Sequence, residues 1–498
     1  MPDDSTQCWL FPGLFLRQVV ATFDQERGSS DGGAILLKAA DERLGLTRAL
    51  VNCLSDVRDP DRVTHDLREL LQQRVFGIAC GYPDGNDSDR LAEDPVHKML
   101  LDRDPVEGEG LASQPTISRF ENSASAKNLF RMGEELARGV VKRHRKRLQG
   151  RARRITIDLD STADLAHGDQ QLALFNGHYE NTCYLPLLGF VSFDDEPDQY
   201  LFTALLRPGN SPDKRGAVGV LKRVIALLRA GFAKATIRVR LDAGFASPEI
   251  FDYLDAEGVE YAVAMPKNSV LERRAKRSLG RASRLSRESG DSERVYAETR
   301  YAARTWTHKR RVIIKAEVTR HPGREPKKNP RFVVTNLEQT PRWVYEKVYC
   351  KRGDVENRIK ELQHGLEIDR TSCCRFFANQ LRVLMTAAAY VLMQELRLHA
   401  ARTSLARAQV WTLRDSLLKR GRSPPASALS SRSNPTLHLS LGRPHHSIRV
   451  GAVRHAPQER RLERLTSRFD RALGCYSSND RCKYTPELNP ACPMNNAG

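Results

Sequence analysis

The chain reads as an α/β protein built on a mixed β-sheet, and three observations predict this. Alternating apolar and polar segments at 154–160, 184–193 and 200–206 follow one another as strands. Helical and strand periods then alternate, with a helix at about 214–230, a strand at 236–241, a helix from 247 and a strand at 259–265. Aspartates stand at the carboxyl ends of two of these strands, which is where open α/β sheets bind ligands.

The first 150 residues have a different pattern. Amphipathic periods at Gly33 to Leu44, Val63 to Ala79 and Lys127 to Arg147 predict helices, with breaks at 81–85 and 105–110. Residues 1–150 therefore read as a separate, mainly helical domain, and the segment that follows makes it a candidate DNA-binding domain. Ser113-Gln114-Pro115-Thr116-Ile117-Ser118-Arg119 is similar to a capped helix start in a helix-turn-helix, with Gln114, Thr116 and Arg119 able to reach DNA. Small capped helices are also plentiful in proteins that bind no DNA. The basic run from Lys142 to Arg147, which ends in Arg145, Lys146 and Arg147, is the stronger candidate for phosphate contact.

Residues 151–266 carry the first part of the core. The segment from Arg154 to Asp160 alternates as a half-buried strand does, with Asp160 at its carboxyl end before Ser161 and Thr162. Asp158, on the same strand face, is a rival, and Asp160 is preferred for its place at the strand end. Thr236 to Leu241 is a second such strand, followed at once by Asp242. The ordinary alternative for each aspartate is a helix N-cap. It is weaker for Asp242, because Ser247 and Pro248 already supply a cap and an N1 proline for the next helix. Phe175-Asn176-Gly177-His178 reads as the turn entering the second strand, and His167 as a loop histidine.

Residues 267–341 form a basic insertion. Between 267 and 331 lie 20 Lys/Arg and 7 Asp/Glu, so +13 of the chain's net +19 falls in this segment. A charge run is ordinarily a solvated face, but this density suggests a surface for DNA backbone. Val295 to Tyr301, Arg311 to Val318 and Arg331 to Thr335 read as strands of a small antiparallel β insertion. Trp306 and His308 fall in a turn, where an aromatic either wedges against an unstacked base or, more often, packs on its own sheet.

Residues 342–415 complete the core with one helix of unusual spacing. At about 100° per residue, Tyr349, Arg352, Glu356, Lys360 and Gln363 share one stripe, beside an apolar stripe of Val348, Val355, Ile359, Leu362 and Leu366. Glu356 is thereby expected at the edge of a buried core. The alternative is a helix whose i,i+3 and i,i+4 charges merely pair with each other.

Asp160, Asp242 and Glu356 together have the pattern of a DDE site, since three carboxylates remote in sequence can hold two divalent cations about 4 Å apart for phosphoryl transfer. At these residues the chain resembles the DDE transposases of bacterial insertion sequences, with an RNase H-like core, in the subgroup marked by a Tyr-x2-Arg-x3-Glu-x6-Lys signature. More narrowly it resembles the insertion-sequence 1380 group. The segments that carry the likeness are Asp158 to Thr162, His167-Gly168, Phe175 to Tyr179, Leu241 to Phe245, Tyr349 to Lys360 and, in the helical domain, Leu111 to Asn122. The resemblance spans roughly residues 15–415. It implies Asp160, Asp242 and Glu356 as catalytic metal ligands, with Mg2+ as cofactor, Mn2+ substituting, and two ions per site. It implies Tyr349 and Arg352 at DNA phosphates, double-stranded element ends and target DNA as partners, and a homodimer in the DNA complex; Lys360, on the same helical stripe, is the candidate to supply the charge that the signature's last position lacks. Gln363 departs from the signature, since a neutral amide stands where the family has lysine.

An excess of 80 Lys+Arg over 61 Asp+Glu, with a pI near 9.6, agrees with a polyanionic partner. Ten cysteines without paired CxxC spacing argue against a zinc ribbon or disulfide scaffold and suit reduced thiols in a cytoplasmic protein; the resemblance implies a bacterial cytoplasm, beside the nucleoid. The apolar run from Val383 to Met393 is too short to span a bilayer and reads as a core helix, so no membrane is expected. Residues 416–498 are expected to be a largely disordered basic tail, with a short helix at 457–473. Two other readings stay open: a metal-dependent nuclease of the same fold, and a catalytically inactive DNA-binding repressor derived from a transposase.

Overall fold

A computed structural model describes residues 28–420 together with two short paired strands, Cys8–Trp9 and Val20–Ala21. The basic tail from 421 onward and its expected helix at 457–473 lie outside the described residues. The described chain is a mixed α/β fold around one eight-stranded sheet. Its strands are β1 (Arg154–Ser161), β2 (Leu187–Phe193), β3 (Tyr200–Leu205), β4 (Thr236–Leu241), β5 (Glu260–Met265), β6 (Glu293–Tyr301), β7 (Arg310–His321) and β8 (Arg324–Thr335). They lie in the order β6-β7-β8-β5-β4-β1-β2-β3.

The pairing follows from the connections. Tight turns join β1, β2 and β3 into an antiparallel meander, apart from the excursion 162–186 between the first two. β1, β4 and β5 run parallel. Each parallel step is made by a helix, α4 (Ala217–Gly231) before β4 and α5 (Pro248–Ala256) before β5. Ile155, Ile157 and Leu159 of β1 point into a core with Val220, Leu221, Val224 and Leu228 of α4 and Ile250, Phe251 and Leu254 of α5. Asp158 on the opposite face is equally buried, because helices cover this part of the sheet on both sides.

The basic insertion does not form a sheet of its own. Its strands β6 to β8 extend the main sheet antiparallel from the open edge of β5, registering Ala262 with Thr335 and Met265 with Phe332. Between β5 and β6 the sequence reading missed a helix, α6 (Ser269–Ser289), whose Asn268 side chain caps Leu271 N–H. Its buried positions are Leu271, Ala275, Ala282 and Ser286, too small and polar a stripe to stand out from the surrounding arginines. Trp306 packs against Phe251 and Tyr301, with ring centroids 4.9 and 5.5 Å apart and Arg310 over its face, so it serves the core.

The helices before residue 150 include α1 (Leu67–Cys80), α2 (Gln114–Ser123) and α3 (Ala126–Leu148). They pack with a late helix, α8 (Phe376–His399). A buried ion cluster joins them, with Glu121 of α2 accepting from Arg74 of α1 at 3.0 Å and from Arg382 of α8 at 2.7 Å. Arg143 of α3 binds Glu395 of α8 through two bonds of 2.7 and 2.8 Å. Helix α8 is the one helix among the described residues long and apolar enough to cross a bilayer, yet it lies inside the fold as the core helix its sequence suggested.

One buried group makes stability depend on pH. Asp164, four residues past Asp160, is 1 % exposed and its carboxylate is bonded to Thr371 Oγ1. Burial without a cation pushes its pKa up to about 8, against the pull of the Thr371 hydrogen bond. Folded protein therefore keeps a proton that the unfolded chain releases near pH 4, and stability falls as pH rises from about 4 to about 8, then levels. Asp164→Asn is expected to flatten this slope and to stabilise the protein at pH 8 by on the order of a few kcal/mol. Thermal melts of both proteins between pH 5 and 9 check it, and parallel pH profiles would refute it.

Candidate active site

The two aspartates meet because their strands are parallel neighbours. Asp158 of β1 registers with Arg240 of β4, so Asp160 and Asp242, each two residues further on, emerge side by side at the same end of the sheet. Asp160 Oδ1 accepts from Ser161 N–H at 3.0 Å. Asp242 both faces the site and caps, since its Oδ1 accepts from Gly244 N–H at 2.9 Å at the start of a 3-10 turn. The alternative of a local cap is thus true of one of its oxygens, while Ser247 caps α5 as expected.

Asp158 and Asp160 are separated by their partners. Asp158 is fully buried and held by Arg240 through two bonds of 2.8 and 2.7 Å. Asp160, at the rim, keeps about 13 % of its side chain exposed. Asp158→Ala would leave Arg240 buried without a carboxylate and is expected to cost about 3–5 kcal/mol of stability. Urea denaturation measures this, and a loss below about 1 kcal/mol would contradict the structural role.

The third element is α7, a helical segment over 341–365 that covers the Asp158 face, its Val348 carbonyl accepting from Arg240 at 3.2 Å. It is not a uniform α-helix. A π turn at Val344–Tyr349 and a 3-10 turn at Cys350–Arg352 precede the α-helical Gly353–Lys360, and a second π turn closes it at Glu361–Gly365. The regular 100° step holds only within Gly353–Lys360, and irregular turns of this kind are frequent at functional sites. Buried Glu361 anchors the segment to α8, accepting from Tyr390 and Arg397.

Arg352 sits at the centre of this arrangement. Its Nη2 lies 2.9 Å from Asp160 Oδ1 and 3.4 Å from Asp242 Oδ2, while its Nε is buried without a partner. Burial pushes Asp160 up to about 6 against the pull of Arg352, and the charges of Asp242 and Glu356 add to the rise. Burial raises Asp242 too, with Arg352 opposing and Asp213 adding. Glu356 is exposed, one helical turn beyond Arg352, and its charge is felt at Asp160.

The remaining candidates have distinct settings. Tyr349 is half-buried against the Tyr345 ring at 5.5 Å, and Lys360 is exposed. Gln363 donates from Nε2 to Thr162 Oγ1 at 2.9 Å, which ties the end of α7 to the residues after Asp160. Arg119 is exposed with Nη2 on Thr116 Oγ1 at 3.1 Å, and Gln114 is half-buried, its N–H held by Asp89 rather than by Ser113. Arg145 and Lys146 are exposed at the end of α3. Arg147 is instead held by Glu196 at 2.7 and 2.8 Å and lies over the Tyr200 ring. His167 is exposed in its loop.

Three further residues border the site: Asp213 and Arg207 escaped the sequence reading, and Tyr179 entered it only as the end of the Phe175 to Tyr179 segment, with no role at the site. The Asp213 carboxylate packs so closely on Gly244 that a Cβ there would lie 1.9 Å from its Oδ2, so glycine is required beside Asp242. Arg207 donates to Ser161 Oγ at 2.7 Å and to the carbonyls of Asp213 and Arg215 at 2.8 and 3.0 Å, fixing that loop against the Asp160 strand end. Tyr179 lies close enough that, after burial, the charges of Asp213, Asp160 and Asp242 push its phenol up. Asp213 and Arg207 sit in loop sequence with no periodicity, and the excursion carrying Tyr179 signalled only a turn.

The candidate donor set is three hard carboxylates, of which Asp160 and Asp242 are gathered around a single guanidinium and Glu356 is not, and carboxylate chemistry of this kind fits a divalent cation. Among the described residues, the groups of three ligand atoms within 4.8 Å lie elsewhere, at Asp31, Cys80 and His97 and at Asp252, Asp255 and His308. Lys419 at 2.7 Å from Asp31 and Arg310 at 2.6 and 2.8 Å from Asp252 and Asp255 supply the positive charge in those two, as Arg352 does between Asp160 and Asp242.

None of the curated proteins matches the chain. A piggyBac transposase, solved as a synaptic complex with hairpin DNA, is similar at 11 % identity over 78 % of this chain and 80 % of that one, with a TM-score of 0.40, too slight a likeness to argue from. Residues 11–455 match the family described as Transposase DDE domain group 1. With that match over most of its length, the chain belongs to the DDE transposase family and is a DNA-cutting and DNA-joining enzyme.

Proposed function

We propose that this protein is the transposase of an insertion sequence, cutting the element's ends and joining them to target DNA, with Asp160, Asp242 and Glu356 as its catalytic carboxylates. The observation that carries the reading is the shared position of Asp160 and Asp242 at the ends of parallel strands, around Arg352 and one turn from Glu356. A divalent cation, Mg2+ or Mn2+, bound by these three residues would activate the attacking oxygen and stabilise the leaving one.

The chain's own groups then have definite tasks. Asp242 keeps one oxygen on the Gly244 N–H and offers the other to the site, so its direction is fixed before any ligand arrives. Arg352, with five donors in a fixed fork, suits a phosphate as well as a carboxylate, and Tyr349 and Lys360 stand on the same segment. Gln363 offers an amide rather than a charge and holds Thr162 in place. In the family reading, water and then a 3′-hydroxyl attack phosphodiesters in turn, and no protein-linked intermediate forms.

The insertion-sequence 1380 grouping, a bacterial cytoplasmic setting near the nucleoid and a homodimer on DNA belong to the same proposal. So does a division of labour in which residues 1–150, including Gln114 and Arg119, hold DNA for a core in two parts, 151–266 and 342–415. The insertion 267–341 would add basic surface, and residues 416–498 carry a further excess of basic residues in their sequence. The experiment is a comparison of strand joining with plain cleavage on a duplex carrying the element end. Joined products support the transposase; cutting without joining would indicate a nuclease. Binding without cutting would indicate a repressor.

A further inference from the structure

At the opposite end of the same strands lies a second charged surface. An open depression of about 950 Å³ is formed where α3 and α4 both end and the chain turns into β1 and β4. Its charged lining is Lys142, Arg145, Lys146, Arg151, Arg153 and Lys234, all exposed. None of the side-chain cations of these six has a carboxylate within 4 Å among the described residues, although the backbone N–H of Arg153 donates to Asp194 Oδ1 at 2.9 Å. Their neighbours are treated differently, since Arg143, Arg147, Arg154 and Arg238 are each paired with an acid.

Helix C-termini favour nearby cations, which accounts for Arg145 and Lys146 in the last turn of α3. It does not account for Arg151, Arg153 and Lys234, which stand beyond the helices. Six unneutralised charges around one depression exceed what a single small anion would balance. They match a run of phosphates, because duplex DNA presents a charge about every 1.7 Å of its axis.

Position defines the role. Arg153 immediately precedes β1 and Lys234 lies two residues before β4, whereas Asp160 and Asp242 sit at the other ends of these strands. Seven residues of strand at about 3.3 Å each put the depression roughly 23 Å from the carboxylates. That is about seven base pairs of duplex, too far to touch the phosphate being cut.

We infer that this depression is a second DNA-binding surface, which grips the sugar-phosphate backbone of double-stranded DNA away from the cleavage point. That the polyanion is DNA rests on the transposase reading; the existence of the surface does not. Two triple variants of the full chain test it, Lys142→Gln with Arg145→Gln and Lys146→Gln on the helix, and Arg151→Gln with Arg153→Gln and Lys234→Gln on the loops. Being on different elements, they leave a test standing if one fails to fold. Binding of an end-containing duplex of about 40 base pairs is measured against salt. Each folded variant should bind roughly 10- to 100-fold more weakly at low salt, with a slope of log K on log salt shallower by about three. Phosphate-ethylation interference on the wild type should mark phosphates about six or more base pairs from the cut, and the marks should vanish in the variants. Unchanged slopes and interference confined to the cut would overturn the inference and leave the transposase reading intact. A wild-type chain that binds no DNA would overturn both.

Discussion

Asp242→Asn will lower DNA cleavage by about 10³-fold or more while leaving duplex affinity within roughly threefold of wild type. The substitution is chosen because asparagine keeps the oxygen that accepts from Gly244 N–H, and asparagine caps as well as aspartate does, so the turn after β4 survives. What is lost is the negative charge facing Asp160 and Arg352. The effect should therefore fall on the chemical step and not on folding. Cleavage rates in Mn2+, read beside a binding titration and a thermal melt, separate the two. A variant that melts normally, binds normally and still cuts at more than a tenth of the wild-type rate would remove Asp242 from the chemistry.

Arg352→Ala will have an effect of similar size, but with a second signature. In the metal-free protein Arg352 supplies the positive charge between Asp160 and Asp242, and its removal leaves two partly buried carboxylates facing each other. Stability should fall by about 3–5 kcal/mol, as when one partner of a buried pair is deleted. Cations that bind the two aspartates would then have no guanidinium to compete with. Mn2+ should consequently raise the melting temperature of Arg352→Ala by more than it raises that of wild type. Cleavage should still be lost by about 10³-fold, because Mn2+ cannot replace the phosphate contact proposed for the guanidinium. Arg352→Lys should recover part of the stability and little of the cleavage, since an ammonium is a point charge without the fork. Equal Mn2+ shifts in wild type and Arg352→Ala would contradict the competition.

The fold was legible where periodicity was strong. The strand ends at Asp160 and Asp242 could be found because Ile155, Ile157 and Leu159, and Ile237, Val239 and Leu241, alternate up to them. The helix Ser269–Ser289 was not legible, because its buried stripe is made of one leucine, two alanines and a serine among arginines. Nor could spacing alone reveal that Arg240 reserves Asp158 for the core, since a cross-strand partner 82 residues away leaves no local trace. The helical stripe from Tyr349 to Gln363 rested on a uniform α-helix. The π and 3-10 turns that interrupt it leave no mark in that spacing, and Glu361, which opens the last of them, is held by Tyr390 and Arg397, residues remote in sequence. Asp213 and Arg207 belong to loops, where position is set by hydrogen bonds such as Arg207 to Ser161 and by the missing side chain of Gly244.

Glu356 is the member of the proposed triad most open to test, being exposed and joined to the aspartates only through its charge. The deciding measurement is Mn2+-dependent cleavage of an end-containing duplex by Glu356→Gln beside wild type, with DNA binding followed in the same samples. Binding retained with cleavage lost is the predicted result, and it would tie Glu356 to Asp160 and Asp242 as one site. Cleavage by Glu356→Gln at the wild-type rate would contradict a three-carboxylate centre.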